Sequence, residues 1–78
     1  MLTEIQYDLF YQIGLTWGGA CQDREVIEAV CAQGLHVAGQ SLMVDMINTA
    51  WEQKIDFVEE YEGIYSAVAS GVQSSLCD

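Results

Sequence analysis

The sequence predicts an all-α fold: a small three- or four-helix bundle with short N-terminal helices packed on a longer C-terminal helical region. Three observations predict it. Apolar residues recur at three- and four-residue steps through most of the 78 residues, the repeat that lines one face of a helix. Proline is absent, so no ring obstructs a helix and no backbone donor is missing. Glycines and capping residues (Gly18, Gly19, Asp23, Gly34 and Gly39) punctuate the pattern into segments. The length leaves room for one domain, residues 1–78.

The first helix is expected over residues 3–16. Thr3 and Gln6 have the spacing of a capping box, in which each side chain accepts from the other residue's backbone N–H. Leu2, Ile5, Leu9 and Ile13 share one face, widened by Phe10, and this face is assigned to the core. Tyr7 and Tyr11 lie on a different side, with Glu4 and Asp8 beside them. Gly18 and Gly19 should stop the helix near Thr16 or Trp17.

A second helix is expected over 24–33. Asp23 can cap its N-terminus, Glu25 suits the positive end of the helix dipole, and Val26, Ile27, Val30 and Cys31 form its apolar stripe. Gly34 followed by Leu35 suggests a Schellman stop.

The third region carries helices expected near 41–62 and 64–73, continuous or broken at Gly63, with Ser41 as the candidate N-cap and Gly71 a second weak point. Met43, Val44, Ile47, Trp51, Val58, Tyr61, Tyr65, Val68 and Val72 fall within about a third of the helix circumference and are assigned to the core. Lys54 falls near the centre of that stripe and fits it badly. A strand over Ile64–Val72 fits less well, because Ala and Ser alternate there with the β formers. Residues 74–78 are expected to fray.

The charge balance bears on function. Twelve acidic residues against two basic ones, Arg24 and Lys54, give a formal net charge of −10. Direct contact with nucleic acid or an anionic membrane would bring like charges together, whereas a basic partner would be attracted. Solubility alone would also explain the acidity. At 51% hydrophobic composition the chain is not a disordered acidic tail. A core of this size supplies only about 3–5 kcal/mol, so completion by a partner or by homodimerisation is a second expectation.

Three cysteines, Cys21, Cys31 and Cys77, have no paired spacing and read as free thiols of a reducing compartment. The acidic N-terminal segment has no basic stretch of the signal-peptide kind, and no apolar run approaches the about 20 residues that span a bilayer, so the expected location is cytoplasmic.

Catalysis is not expected. His36 is the single histidine, and Cys31 five residues before it makes no recognised nucleophile pair. The cysteines and histidine lack zinc-ligand spacing, Gly18–Gly19 lacks the following Lys-Ser/Thr of a phosphate loop, and a helix-turn-helix over 23–47 would have no Arg or Lys on its reading helix. The carboxylates around Asp56 lack the loop spacing of a calcium site. No metal or cofactor is therefore expected.

One pattern stands out. If 41–62 is helical, Asp45, Glu52, Asp56 and Glu59 fall within about 60° of arc, with Glu60 beside them, opposite the apolar stripe. Glu52, Asp56 and Glu60 would then stand about 6 Å apart along the axis, close to the phosphate spacing of a nucleic-acid strand. Like charges at this spacing cost a helix a few tenths of a kcal/mol each, so an uncompensated stripe suggests use. Tyr7 and Tyr11, off the expected core face, are candidate contact residues, whereas Trp51 and Tyr65 are assigned to the core.

In size, acidity and lack of a catalytic set the chain is similar to the short acidic proteins with which phages and mobile elements block host nucleic-acid enzymes. Anti-restriction and anti-CRISPR inhibitors, some of them DNA mimics, are among these. No motif carries this likeness, and it assigns no residue. The expected function is a protein-binding inhibitor or adaptor that docks through Asp45, Glu52, Asp56, Glu59, Glu60, Tyr7 and Tyr11 on a basic, nucleic-acid-binding protein. The alternative is a homo-oligomeric helical assembly module without enzymatic activity.

Overall fold

The first helix, α1 (Glu4–Ala20), begins with the capping box expected of it. The Gln6 backbone N–H donates to Thr3 Oγ1 and the Thr3 N–H to Gln6 Oε1, both at 3.1 Å. The computed structural model describes residues 1–21 and 23–76, so Cys77 and the end of the expected C-terminal fray lie outside the described residues. α2 (Arg24–Gln33) is capped by Asp23, whose carboxylate accepts from the Glu25 N–H at 3.0 Å. A one-turn 3-10 helix (Leu35–Ala38) leads to α3 (Gln40–Glu52), and α4 (Tyr61–Ser75) ends the described chain. Four α-helices and no strand among the described residues make an all-α bundle.

α1 and α4 form the spine, packed along most of their length. α2 leans on α4 and the 3-10 turn, and α3 on α1 and the same turn. The core comprises Phe10 of α1, Ile27 and Val30 of α2, Leu35 of the turn, Leu42, Met46 and Ala50 of α3, and Ile64, Ala67, Val68 and Val72 of α4. The radius of gyration, 11.6 Å, matches the about 11.5 Å expected of a compact chain this long. Exposed apolar residues therefore cannot be put down to a loosely packed chain.

Several boundaries differ from the sequence expectation, each for a physical reason. α1 runs through Gly18 and Gly19 to Ala20; Gly18 serves contact between helices, since a Cβ there would lie 2.1 Å from Ser75 Oγ of α4, whereas Gly19 meets nothing within 4 Å. A Cβ on Gly14 would lie 2.0 Å from the Val68 carbonyl oxygen, and one on Gly71 would lie 2.1 Å from that of Tyr11. Gly71 is therefore where α4 meets the backbone of α1, and neither it nor Gly63 ends a helix. The core face of α1 is also turned from the expected one. Phe10, Gly14 and Gly18 are buried while Ile5 is 75% exposed, a rotation of roughly 100° on an ideal helix.

The expected helix over 41–62 stops at Glu52, and residues 53–60 are turns and irregular chain. The stop is a Schellman motif: the Ile55 N–H reaches the Ala50 carbonyl at 2.9 Å and the Lys54 N–H the Trp51 carbonyl at 3.0 Å. Lys54 occupies the left-handed position, φ 57°, usually taken by glycine. That placement explains why Lys54 fits the apolar stripe badly: it stands where the helix has ended.

Gly34 does stop α2, but by another device. It adopts φ 119°, and the next N–H, of Leu35, donates to the Tyr65 hydroxyl at 3.0 Å instead of closing a Schellman bond. α3 begins one residue before Ser41, at Gln40, with Gly39 at the cap position and no side-chain cap.

Candidate protein-docking surface

α3 has two apolar faces, and the fold buries the smaller one. Leu42, Met46 and Ala50, at four-residue steps, are sealed in the core. The stripe assigned to the core from the sequence faces outward: Val44 is 50% exposed, Ile47 45%, Trp51 80% and Val58 84%. Trp51 is therefore not a core residue. Val68 and Val72 are buried as expected, Tyr65 is half-buried, and Tyr61 is exposed. The expected stripe thus divides between core and surface, because α3 and α4 are separate helices.

Two of these outward side chains, Val44 and Ile47, belong to one wall of a groove of about 360 Å³ between α3 and α4. Met43, Val44 and Ile47 line one side, Tyr61 and Tyr65 the other, and His36 of the 3-10 turn closes one end. The aromatic wall is continuous. The Phe57 and Tyr61 rings meet edge to face at 5.5 Å between centroids, and Tyr61 and Tyr65 follow at 5.8 Å. The Tyr65 hydroxyl, by accepting from Leu35, ties this wall to the turn at the groove's end. Apart from His36, neither the turn nor α3 nor α4 carries a basic residue. Arg24 lies on α2, where its guanidinium pairs with Glu28 at 3.4 Å and donates to the Leu76 carbonyl.

The acidic residues singled out in the sequence do not form one stripe. Asp45 and Glu52 belong to α3, whereas Asp56, Glu59 and Glu60 sit in the turns after it. Asp56 holds its own turn together, since its Oδ1 accepts from the Val58 and Glu59 N–H groups at 3.1 and 3.2 Å. The helical ladder of charges at phosphate-like spacing is therefore absent, because the Schellman stop interrupts it. Asp56, Glu59 and Glu60 nevertheless line one cleft, shared with Lys54 and Met1, whose amine pairs with Glu60. Asp45 stands apart, at a second apolar groove of about 420 Å³ against Leu9, Ile13 and Trp17 of α1.

Of the two tyrosines, Tyr7 is 39% exposed. Tyr11 is half-buried against α4, its hydroxyl donating to Ser74 Oγ at 2.7 Å. Cys31 is exposed on α2 and Cys21 half-buried, both as free thiols. Among the described residues no charged side chain is buried, and no three His, Cys, Asp or Glu side chains converge as metal ligands would. No helix among them is long and apolar enough to cross a membrane.

Sequence reasoning missed the groove, although a signal for it was present. In α3 the sequence places apolar residues on two faces, Leu42/Met46/Ala50 and Val44/Ile47/Trp51. A surface helix with one buried face has no need of the second.

The class these features define is a small acidic all-α bundle with an apolar groove on its surface. No protein-family model, curated protein or solved structure matches this chain.

Proposed function

We propose that the chain is a small acidic inhibitor or adaptor that docks on a basic protein of the nucleic-acid-binding kind. The observation that carries this reading is the outward apolar stripe of α3. In a compact chain of net charge −10, Val44, Ile47 and Trp51 stand exposed on a helix that also bears Asp45 and Glu52. Exposed aromatic and aliphatic anchors supply most of the energy of protein–protein contacts, and surrounding charge selects the partner and speeds its encounter. Repulsion from phosphates argues against direct nucleic-acid binding. Imitation of a nucleic-acid strand by a single helix is not part of the proposal, since α3 ends at Glu52.

The test is a tagged pull-down from nuclease-treated lysate, washed at low and then high salt, with wild type beside an Asp45→Lys/Glu52→Lys/Glu62→Lys variant, Glu62 being the exposed carboxylate in the first turn of α4. The proposal expects a nucleic-acid-binding protein retained by wild type, weakened by salt and lost from the variant. Equal retention by the charge-reversed variant at both salt concentrations would contradict it.

The exposed stripe also suits a second reading, a self-assembling module that buries it between copies. That reading must overcome repulsion between two chains of net charge −10 each. Light scattering showing a monomer at high protein concentration would remove it.

A further inference from the structure

We propose that the groove between α3 and α4 receives an amphipathic helix flanked by Lys and Arg, contributed by the basic partner. This rests on the protein-binding reading above and deepens it by naming the occupant and its seat. Length, lining and charge each support it.

The groove lining on α3 runs from Gln40 to Ile47. At 1.5 Å per residue this is about 10 Å, or two helical turns. A docked helix would meet it with anchors at i, i+3 or i+4, and i+7, the spacing by which helices are recognised in grooves. Trp51, 80% exposed, stands one turn further along the same face and extends the seat.

The walls suit large aliphatic and aromatic anchors. Met43 is unbranched and polarizable and adapts to irregular shapes. Tyr61 and Tyr65 line the other wall, and tyrosine rings pack against both aliphatic groups and cations. A volume of about 360 Å³ holds a few such side chains and not a folded element, so the partner helix lies over the groove with its anchors inside.

Charge decides the flanks. On an ideal helix Glu62 lies about 60° beyond Tyr65, and Glu52 about 100° beyond Trp51. Both carboxylates are exposed, and α3, α4 and the 3-10 turn between Gly34 and Gly39 supply no Lys or Arg to neutralise them; Lys54, just past α3, lines the cleft of Asp56, Glu59 and Glu60 instead. A helix with an apolar stripe and basic flanks matches both parts of this surface. A second copy of the chain would match only the apolar part.

The probe is a fluorescent synthetic helix of Leu and Lys, with Leu at i, i+3, i+4 and i+7, measured by anisotropy. Its controls are a composition-matched isomer with the Leu residues scattered around the helix, and a Leu/Glu version. The expected result is saturable binding of the Leu/Lys helix, binding of the scattered isomer weaker by about tenfold or more, and no binding of the Leu/Glu helix. Ile47→Asp should weaken the Leu/Lys helix by about tenfold or more, and the milder Ile47→Ser should weaken it in the same direction. Circular dichroism on both variants verifies that the bundle is intact.

Equal binding of the two Lys peptides, or unchanged affinity in both Ile47 variants, overturns the groove while leaving a basic partner in place. Binding of neither Lys peptide, with a pull-down insensitive to salt and to charge reversal, overturns both readings. A wild-type dimer that Ile47→Asp converts to a monomer makes a second copy the occupant and overturns the proposal.

Discussion

Replacing Gly14 by Ala changes one hydrogen to a methyl group, yet it should be among the most damaging substitutions in this chain. The new Cβ would lie 2.0 Å from the Val68 carbonyl oxygen and 2.9 Å from the Val72 nitrogen, where ordinary contact begins at 3.4 Å. Both neighbours are α4 backbone and cannot rotate away, so relief requires the two helices to part by about 1 Å or more, since interiors are packed to near-crystal density. A gap of that size forfeits a quarter to a half of the dispersion attraction between the facing atoms, here including Phe10, Val68 and Val72. Overpacking of this kind costs about 1–3 kcal/mol or more. The better helix propensity of Ala returns about 1 kcal/mol.

With a backbone clash this short the cost sits at the upper end, about 3 kcal/mol, so the net loss is about 2 kcal/mol, from a core that supplies only about 3–5. Gly71→Ala meets the Tyr11 carbonyl at 2.1 Å and should behave alike. Gly19→Ala provides the control: same helix, same chemical change, and nothing within 4 Å of the new methyl. It should stabilise by about 0.5 kcal/mol, discounted because Gly19 is close to the helix end. Urea denaturation followed by circular dichroism measures all three. At about 4–8 °C per kcal/mol, the thermal midpoint should fall by about 10 °C in Gly14→Ala and rise by a few degrees in Gly19→Ala. Equal midpoints for Gly14→Ala and Gly19→Ala would refute the close α1–α4 contact.

Other substitutions probe separate parts of the fold. Lys54→Gly should stabilise by about 1 kcal/mol in urea titration, because glycine takes the left-handed position at φ 57° without strain; a loss of stability would mean that the lysine side chain outweighs its backbone. Met46→Ala, at a fully buried site, should cost about 2–5 kcal/mol, whereas Trp51→Ala should stay within about 0.5 of wild type. The reverse order would show that α3 is rotated from its described orientation. Tyr65→Phe removes the acceptor of the Leu35 N–H and should cost about 1–2 kcal/mol, read from the same urea curves.

Much of the fold was legible where short-range chemistry decides structure. Thr3 with Gln6, and Asp23 before Arg24, announce helix starts because their side chains satisfy backbone donors a few residues away. The end of α3 was not legible, because its left-handed position is filled by a lysine, which carries none of glycine's conformational signature. Gly18 and Gly71 misled for the opposite reason. A glycine read locally is a helix breaker, but here the missing side chain admits a neighbouring helix, a fact that depends on the partner helix and not on spacing.

The candidate site was legible only in part. Acidity was plain in the composition, but the acidic stripe needed α3 to continue past Glu52. The larger apolar face of α3 reads as core in the sequence because periodicity reports how wide a face is, not whether a helix will cover it. Tyr11, which reads as free for contact, is engaged by Ser74 in the fold.

The most direct measurement is a two-dimensional amide NMR titration of the chain with the Leu/Lys helix. Shifts are predicted to concentrate at His36, Met43, Val44, Ile47, Tyr61 and Tyr65, while the exposed face of α2 around Glu28 and Cys31 stays unchanged. Shifts confined to Asp56, Glu59 and Glu60, or absent altogether, would contradict the claim that the outward apolar face of α3 is where this protein takes hold of its partner.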